Sequence, residues 1–110
     1  MKLTDKQREE VDNAIYEQVQ ENLDDLTVFE DYWHGLTCSD GTVLDINIYD
    51  GFEYGNKEGY TQKEEGLQCV VYFVDSEKNI DYSKPVWFDS KHLDGIDPNT
   101  NAQQMYGDIF

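Results

Sequence analysis

The sequence predicts an α+β fold, in which an N-terminal amphipathic helix packs on an antiparallel sheet of three to five strands and a largely irregular tail follows. Three observations predict it. Apolar residues recur at helical spacing over about the first 25 residues, alternate at strand spacing from residue 28 onward, and are scattered after residue 88. The 110 residues, 38% of them apolar, fit one domain with a single modest core.

The helix is expected over about residues 4–25. Thr4, followed by Gln7 three residues later, forms a capping-box pattern at its start. One apolar stripe then recurs at helical spacing and should face the sheet: Val11, Ala14, Ile15, Val19, Leu23 and Leu26.

Strands are expected at about residues 28–38, 42–49, 67–74 and 80–88. Residues 42–49 alternate strictly, which places Leu44, Ile46 and Ile48 on one face, and an Asp-Gly turn before them predicts a hairpin. Pro85 cannot donate to a β-ladder, so the fourth strand should lie at an edge or a bulge. The aromatic residues of these strands are expected in the core or in cross-strand pairs: Tyr32, Trp33, Tyr72, Phe73, Trp87 and Phe88.

Two further segments have weaker signals. Residues 50–66 carry four glycines between charges and tyrosines, which predicts a long connection, and such connections are often functional. Residues 89–110 contain Asp-Gly and Asp-Pro-Asn turn signals, and we expect a tail packed across the sheet with at most a short helical turn.

Charge is the most informative feature of the sequence. The net charge is -16, from 24 acidic and 8 basic residues. A net charge of magnitude about 2 to 8 is enough to keep a small domain soluble. Between Glu9 and Asn56 there are 13 acidic residues and no Lys or Arg. Glu17 and Glu21 lie one helical turn apart without a cation between them, an arrangement that costs a helix stability. Repeated local penalties of this kind indicate a purpose other than stability.

The spacing of these charges suggests that purpose. Seven carboxylates between Glu9 and Asp25 lie about 3.6 Å apart along a helix axis, against about 3.4 Å per phosphate of a DNA strand. The acidic surface should therefore attract a basic partner. The carboxylates predicted to bind it are Glu17, Glu21, Asp24, Asp25, Glu30, Asp31, Asp45, Asp50 and Glu53, with Tyr54 and Tyr60 adding apolar contact.

Three functions are compatible with this pattern. The preferred hypothesis is a small inhibitor that presents carboxylates in place of phosphates to a basic, nucleic-acid-binding protein such as a nuclease. In size and charge the chain resembles the small acidic anti-restriction and anti-CRISPR proteins of bacteriophages and mobile elements, which include DNA mimics. The alternatives are an immunity protein that neutralises a basic nuclease toxin, and an acidic interaction domain without an inhibitory role.

Metal-binding and cofactor functions have little support. Residues 45–56 look like a calcium loop, but Tyr49, Asp50 and Asn56 occupy positions that need an oxygen ligand, a glycine and a glutamate. Cys38 and Cys69 have no zinc-site spacing with the two histidines, so we expect buried free thiols and no metal or cofactor.

Catalysis and membrane insertion are also not expected. The sequence has no recognised catalytic motif and no run of about 18 apolar residues, so we expect neither an enzyme nor a membrane protein. Direct binding of nucleic acid is disfavoured, because such binding depends on cations that neutralise phosphates. The expected location is the cytoplasm, which would be that of a bacterial host if a phage or mobile element encodes the chain.

Overall fold

The computed structural model describes residues 2–50 and 67–96, with Asp50 described in its backbone alone. The four strands form one antiparallel sheet in the order β1-β2-β3-β4, and the helix packs on one face of it, which confirms the α+β prediction. The elements in chain order are α1 (Asp5–Glu21), a 3-10 helix (Leu26–Glu30), β1 (Asp31–Thr37), β2 (Val43–Asp50), β3 (Leu67–Val74), β4 (Val86–Phe88) and a second 3-10 helix (Lys91–Leu93).

The start of α1 is the predicted capping box. Gln7 N donates to Thr4 Oγ1 at 3.1 Å, and Thr4 N donates to Gln7 Oε1 at 2.9 Å. The helix ends at Glu21 rather than near residue 25, because Asn22 caps it and donates from Nδ2 to the Gln18 carbonyl at 2.8 Å. Leu23 therefore lies outside the apolar stripe and is 37% exposed.

The prediction that residues 28–30 begin the first strand is wrong. These residues belong to the 3-10 helix Leu26–Glu30. Asp25 caps this helix by accepting a hydrogen bond from Thr27 N at 3.2 Å. Leu26 and Phe29, three residues apart, share one side of a 3-10 turn and are both buried in the core. The valine and phenylalanine that suggested a strand thus fit a tight helical turn instead.

The sheet buries the face that the alternation of β2 predicts. Leu44, Ile46 and Ile48 are each at most 1% exposed and belong to one core cluster with the apolar stripe of α1. Across the sheet, the inner face includes the row formed by Tyr32, Ile48, Cys69 and Phe88. The opposite, outer face carries Asp31, Trp33, Gly35 and Thr37 of β1, as the burial pattern of that strand shows.

The fourth strand is shorter than predicted. Of residues 80–85, only Ile80 pairs with the sheet, through an isolated bridge to Val74. Ser83 N donates to Asp81 Oδ1 at 3.0 Å, in a turn of the chain. β4 begins directly after Pro85, which cannot donate a hydrogen bond to a β-ladder. Beyond β4, Leu93 of the second 3-10 helix is 3% exposed and anchors the chain to the core. Residues 51–66 and 97–110 lie outside the described part.

Side-chain hydrogen bonds set the direction of α1 along the sheet. Gln7 Nε2 donates to Asp40 Oδ2 and to Thr42 Oγ1, each at 3.1 Å, in the turn between β1 and β2. At the other end of the helix, Tyr32 OH donates to Gln18 Oε1, which attaches the start of β1. The helix therefore runs antiparallel to β1, from the β1–β2 turn towards the beginning of that strand.

Candidate protein-binding surface

Five exposed carboxylates lie at the end of the molecule where α1 finishes and β1 begins. Glu17 and Glu21 are on the last turns of α1, Asp24 is in the turn that follows, and Glu30 and Asp31 join the 3-10 helix to β1. The bond between Tyr32 and Gln18 holds these segments together. We call this group the acidic end: Glu17, Glu21, Asp24, Glu30 and Asp31.

The acidic end has no cation of its own among residues 2–50 and 67–96. The last turn of α1 contains no basic residue, and the macrodipole places partial negative charge there. The single Lys–carboxylate pair within these residues joins Lys6 to Glu9 at 3.7 Å, in the first half of the helix. Like charges thus lie at an end of α1 where the helix does not neutralise them and where no side chain of the described segments forms an ion pair with them.

The basic residues of the described segments are placed elsewhere. Lys2, Lys6 and Arg8 lie at the start of α1, beside the β1–β2 turn. Lys78 is in the turn after β3, which lies at the same end of the sheet because Val74 pairs with Val43. Lys84 precedes β4 and Lys91 belongs to the second 3-10 helix. Within the described segments, none of these six basic residues forms an ion pair with a carboxylate of the acidic end.

Other acidic residues of the cation-free segment have structural partners instead. Ser39 N donates to Glu10 Oε1 at 3.0 Å, and the hydrogen bonds from Ser39 lower the pKa of this carboxyl below its usual value. Thr42 N donates to Asp40 Oδ1 at 2.8 Å, and these bonds from Thr42 lower the pKa of Asp40 as well. Both carboxylates stabilise the β1–β2 turn.

Asp12 attaches the second 3-10 helix to α1. Ser90 Oγ donates to its Oδ1 at 2.8 Å, and His92 Nε2 lies 3.1 Å from its Oδ2. The His92 ring also packs against Tyr16, with ring centroids 4.9 Å apart. Ser90 Oγ also accepts a hydrogen bond from the His92 backbone N–H at 3.2 Å, as the cap of the second 3-10 helix. Among residues 2–50 and 67–96, no hydrogen bond joins the Ser90 hydroxyl to the His92 ring, which is the contact that a catalytic triad requires.

The predicted partner-binding residues fall into three groups. The structure places Glu17, Glu21, Asp24, Glu30 and Asp31 at the same end of the molecule, with Asp31 on the outer face of the sheet and α1 on the inner face. Asp25 lies beside them but caps the 3-10 helix, and Asp45 lies on the outer face of the sheet with 7% exposure. The other four are not placed: the side chain of Asp50 is not described, and Glu53, Tyr54 and Tyr60 lie outside the described residues.

Trp33 is a candidate contact residue that the sequence interpretation assigned to the core or to a cross-strand pair. It is instead 70% exposed, on the outer face of the edge strand β1. Along β1, its neighbours on that face are Asp31 and Gly35, its cross-strand partner is Asn47, and none of these three provides an apolar surface for it to pack against. In the sequence, Trp33 alternates with Asp31, Gly35 and Thr37, and these non-hydrophobic residue types at every second position could have predicted an exposed face. Trp33 places an aromatic ring next to Asp31 of the acidic end.

The two thiols are poorly suited to catalysis or metal binding. Both cysteines are free and buried, and burial raises the pKa of Cys38 to about 11 and that of Cys69 further upward. At neutral pH both are protonated, whereas nucleophilic and metal-binding cysteines act as thiolates. In residues 2–50 and 67–96, no three His, Cys, Asp or Glu side chains form a group that could hold a metal ion.

A depression of about 400 Å³ lies near β4, away from the acidic end. Arg8 is at its border and is placed 5.3 Å from the centroid of the Phe88 ring. The other walls include Cys69, Trp87 and Leu93, and none of the predicted partner-binding residues lines it. The depression is therefore separate from the acidic surface.

Comparisons with known proteins give no relative for this chain. No family model matches the sequence, and neither a curated protein nor a solved structure matches it. Within the described residues, no helix has the length and apolar character needed to cross a membrane.

Proposed function

We propose that the chain is a small inhibitor that binds a basic, nucleic-acid-binding protein by presenting carboxylates where that protein normally meets phosphates. The acidic end is the contact surface. The partner is an enzyme or nuclease with a Lys- and Arg-rich phosphate-binding site, and the encounter takes place in the cytoplasm. The chain itself does not bind nucleic acid.

The single observation that carries this proposal is the unneutralised charge of the acidic end. Four exposed carboxylates from three elements and one from the turn after α1 lie at one end of the molecule, and none of them has a cation partner among the described residues. Glu10, Asp12 and Asp40, by contrast, are each held by hydrogen bonds within the fold. A stability role explains the second group but not the first, because like charges brought together repel.

The positions of the charges do not support mimicry of a DNA strand by the whole helix. A phosphate-like row along the whole helix is not available, since Glu10 and Asp12 are bound to the sheet side of the molecule. The remaining carboxylates are confined to the end of α1, the following turn and the start of β1, at one end of the molecule. Such a surface suits a localised phosphate-binding cluster of Lys and Arg better than a long groove.

Capture from a nuclease-treated bacterial lysate tests the proposal. Immobilised chain should retain basic nucleic-acid-binding proteins at low salt, and added duplex DNA should release them. A variant that neutralises the acidic end should retain much less. It carries E17Q, E21Q, D24N, E30Q and D31N.

A matched control removes the same charge from exposed positions elsewhere. Its retention should stay close to that of the unmodified chain. The control carries D5N, E9Q, E77Q, D89N and D94N, all of which change exposed residues. Equal losses in the two variants would show that only net charge matters, and retained proteins that still hold DNA would contradict the proposal.

A further inference from the structure

Asp45 is a buried carboxylate without a cation. Its exposure is 7%, and Asn47 Nδ2, at 2.8 Å from Oδ2, is the one donor to its side chain within residues 2–50 and 67–96. No Lys or Arg in these segments pairs with it. An ionised carboxylate has room for about four hydrogen bonds and is costly to bury without an opposite charge. The second oxygen, Oδ1, accepts no hydrogen bond from the described residues.

Open space lies beside this carboxylate, over Gly35. Gly35 is the cross-strand partner of Asp45 and is exposed. A Cβ built on Gly35 meets no atom within 4 Å. Its backbone is not in the left-handed region, so the conformation of β1 does not require a glycine here. The missing side chain instead leaves open space on the edge strand, at the position directly across from Asp45.

An exposed indole borders the same space. Trp33 precedes Gly35 by two residues on the outer face, pairs with Asn47, and is 70% exposed. In an antiparallel pair, Trp33 and Asp45 are diagonal neighbours, about 7 to 8 Å apart at their backbones. A planar aromatic ring and a carboxylate thus flank an opening of side-chain width.

We propose that this opening binds an arginine side chain, with its guanidinium against the Trp33 ring and its N–H groups donating to Asp45. A guanidinium is planar and weakly hydrated, stacks on indoles, and pairs with carboxylates through two parallel hydrogen bonds. A lysine ammonium offers neither the planar surface nor the paired donors. The arginine belongs to the basic partner, and this assignment of its source rests on the proposed function. That the site binds an arginine side chain does not depend on the proposed function.

A titration without any partner protein tests the site. Isotope-labelled chain is titrated with N-acetyl-arginine amide while the indole N–H signal of Trp33 is followed by NMR, with W87F used to assign it. N-acetyl-citrulline amide, which is neutral and of nearly the same shape, is the matched ligand. Saturable shifts are expected with arginine, and an affinity lower by about tenfold or more with citrulline, because the charge pair is lost.

Two variants separate Asp45 from general charge attraction. D45N and E17Q each remove one negative charge, but only Asp45 contacts the arginine in the proposed site. D45N should therefore lower the arginine affinity by about tenfold, and E17Q by less than about twofold. G35V fills the opening with a residue that strands favour and should also abolish the shifts. Equal responses to the two ligands, or unchanged binding by folded D45N or G35V, would overturn the site. Because no partner is present, a negative titration leaves the capture test of the proposed function unaffected.

Discussion

The two ends of α1 use the same chemical group in opposite ways. At the β1–β2 turn, Glu10 and Asp40 accept hydrogen bonds from the backbone, and Asp40 also accepts one from Gln7. At the acidic end, Glu17, Glu21 and their neighbours are exposed and have no cation in the described part of the chain. A block of acidic residues in a sequence can thus contain both structural and unneutralised carboxylates, and only the fold separates them.

Charge reversal at the acidic end should have the largest effect. In E17K/E21K/D24K, affinity for the captured partner should fall by at least about a hundredfold, because attraction becomes repulsion across the interface. The free energy of unfolding should stay the same or rise, since self-repulsion decreases. Asp25 is left unchanged because it caps the 3-10 helix. Equilibrium binding and urea denaturation measure the two quantities.

The matched control for this reversal is D5K/E9K/E77K, which changes the net charge equally at exposed positions outside the acidic end. Its affinity for the partner should fall far less. Binding by the acidic-end variant within about threefold of the unmodified chain would remove the acidic end from the interface.

Replacing Gln7 should affect stability rather than binding. Gln7→Ala removes the acceptor for Thr4 N and the donor to Asp40 and Thr42, at a side chain that is 6% exposed. The loss should be about 1–3 kcal/mol of unfolding free energy. E30Q, at the acidic end, should change it by less than about 0.5 kcal/mol. Urea denaturation compares the two variants, and similar losses would contradict the division between the ends.

A smaller, pH-dependent effect is expected at Glu10. Hydrogen bonds from Ser39 lower the pKa of Glu10 in the fold, so the stability they add is present above the unfolded pKa and is lost as pH falls through the folded one. At pH 7, E10Q should therefore be less stable than the unmodified chain. Below about pH 4.5, the usual value for this group, the difference should shrink. Thermal unfolding at several pH values measures the stability difference between E10Q and the unmodified chain. A difference that stays constant with pH would contradict a stabilising role for the Glu10 charge.

Much of the fold follows from local patterns in the sequence. The capping box at Thr4 and Gln7 marks the start of α1, and the strict alternation around Ile46 identifies the buried face of β2. The 3-10 helix after α1 was missed because Val28 and Phe29 suit a strand equally well by type. The loss of strand at residues 80–85 depends on the turn that Asp81 and Ser83 form, which outweighs strand propensity.

The division among the carboxylates could not be predicted in the same way. Glu10 finds its partner 29 residues along the chain, and Asp12 finds Ser90 at a separation of 78 residues. Such pairs arise from the packing of α1 on the sheet rather than from any local motif. The sequence therefore indicated an acidic surface, and the fold determined which of its carboxylates accept hydrogen bonds within the described residues.

Mutual exclusion of the chain and nucleic acid is the most direct test of mimicry. The partner recovered by capture is purified, and its affinity for the chain is measured at increasing concentrations of duplex DNA, with the DNA followed by fluorescence anisotropy. Mimicry predicts that the apparent Kd for the chain rises linearly with the concentration of free DNA and that no complex contains all three components. A stable ternary complex, with chain and DNA both bound at full affinity, would contradict it.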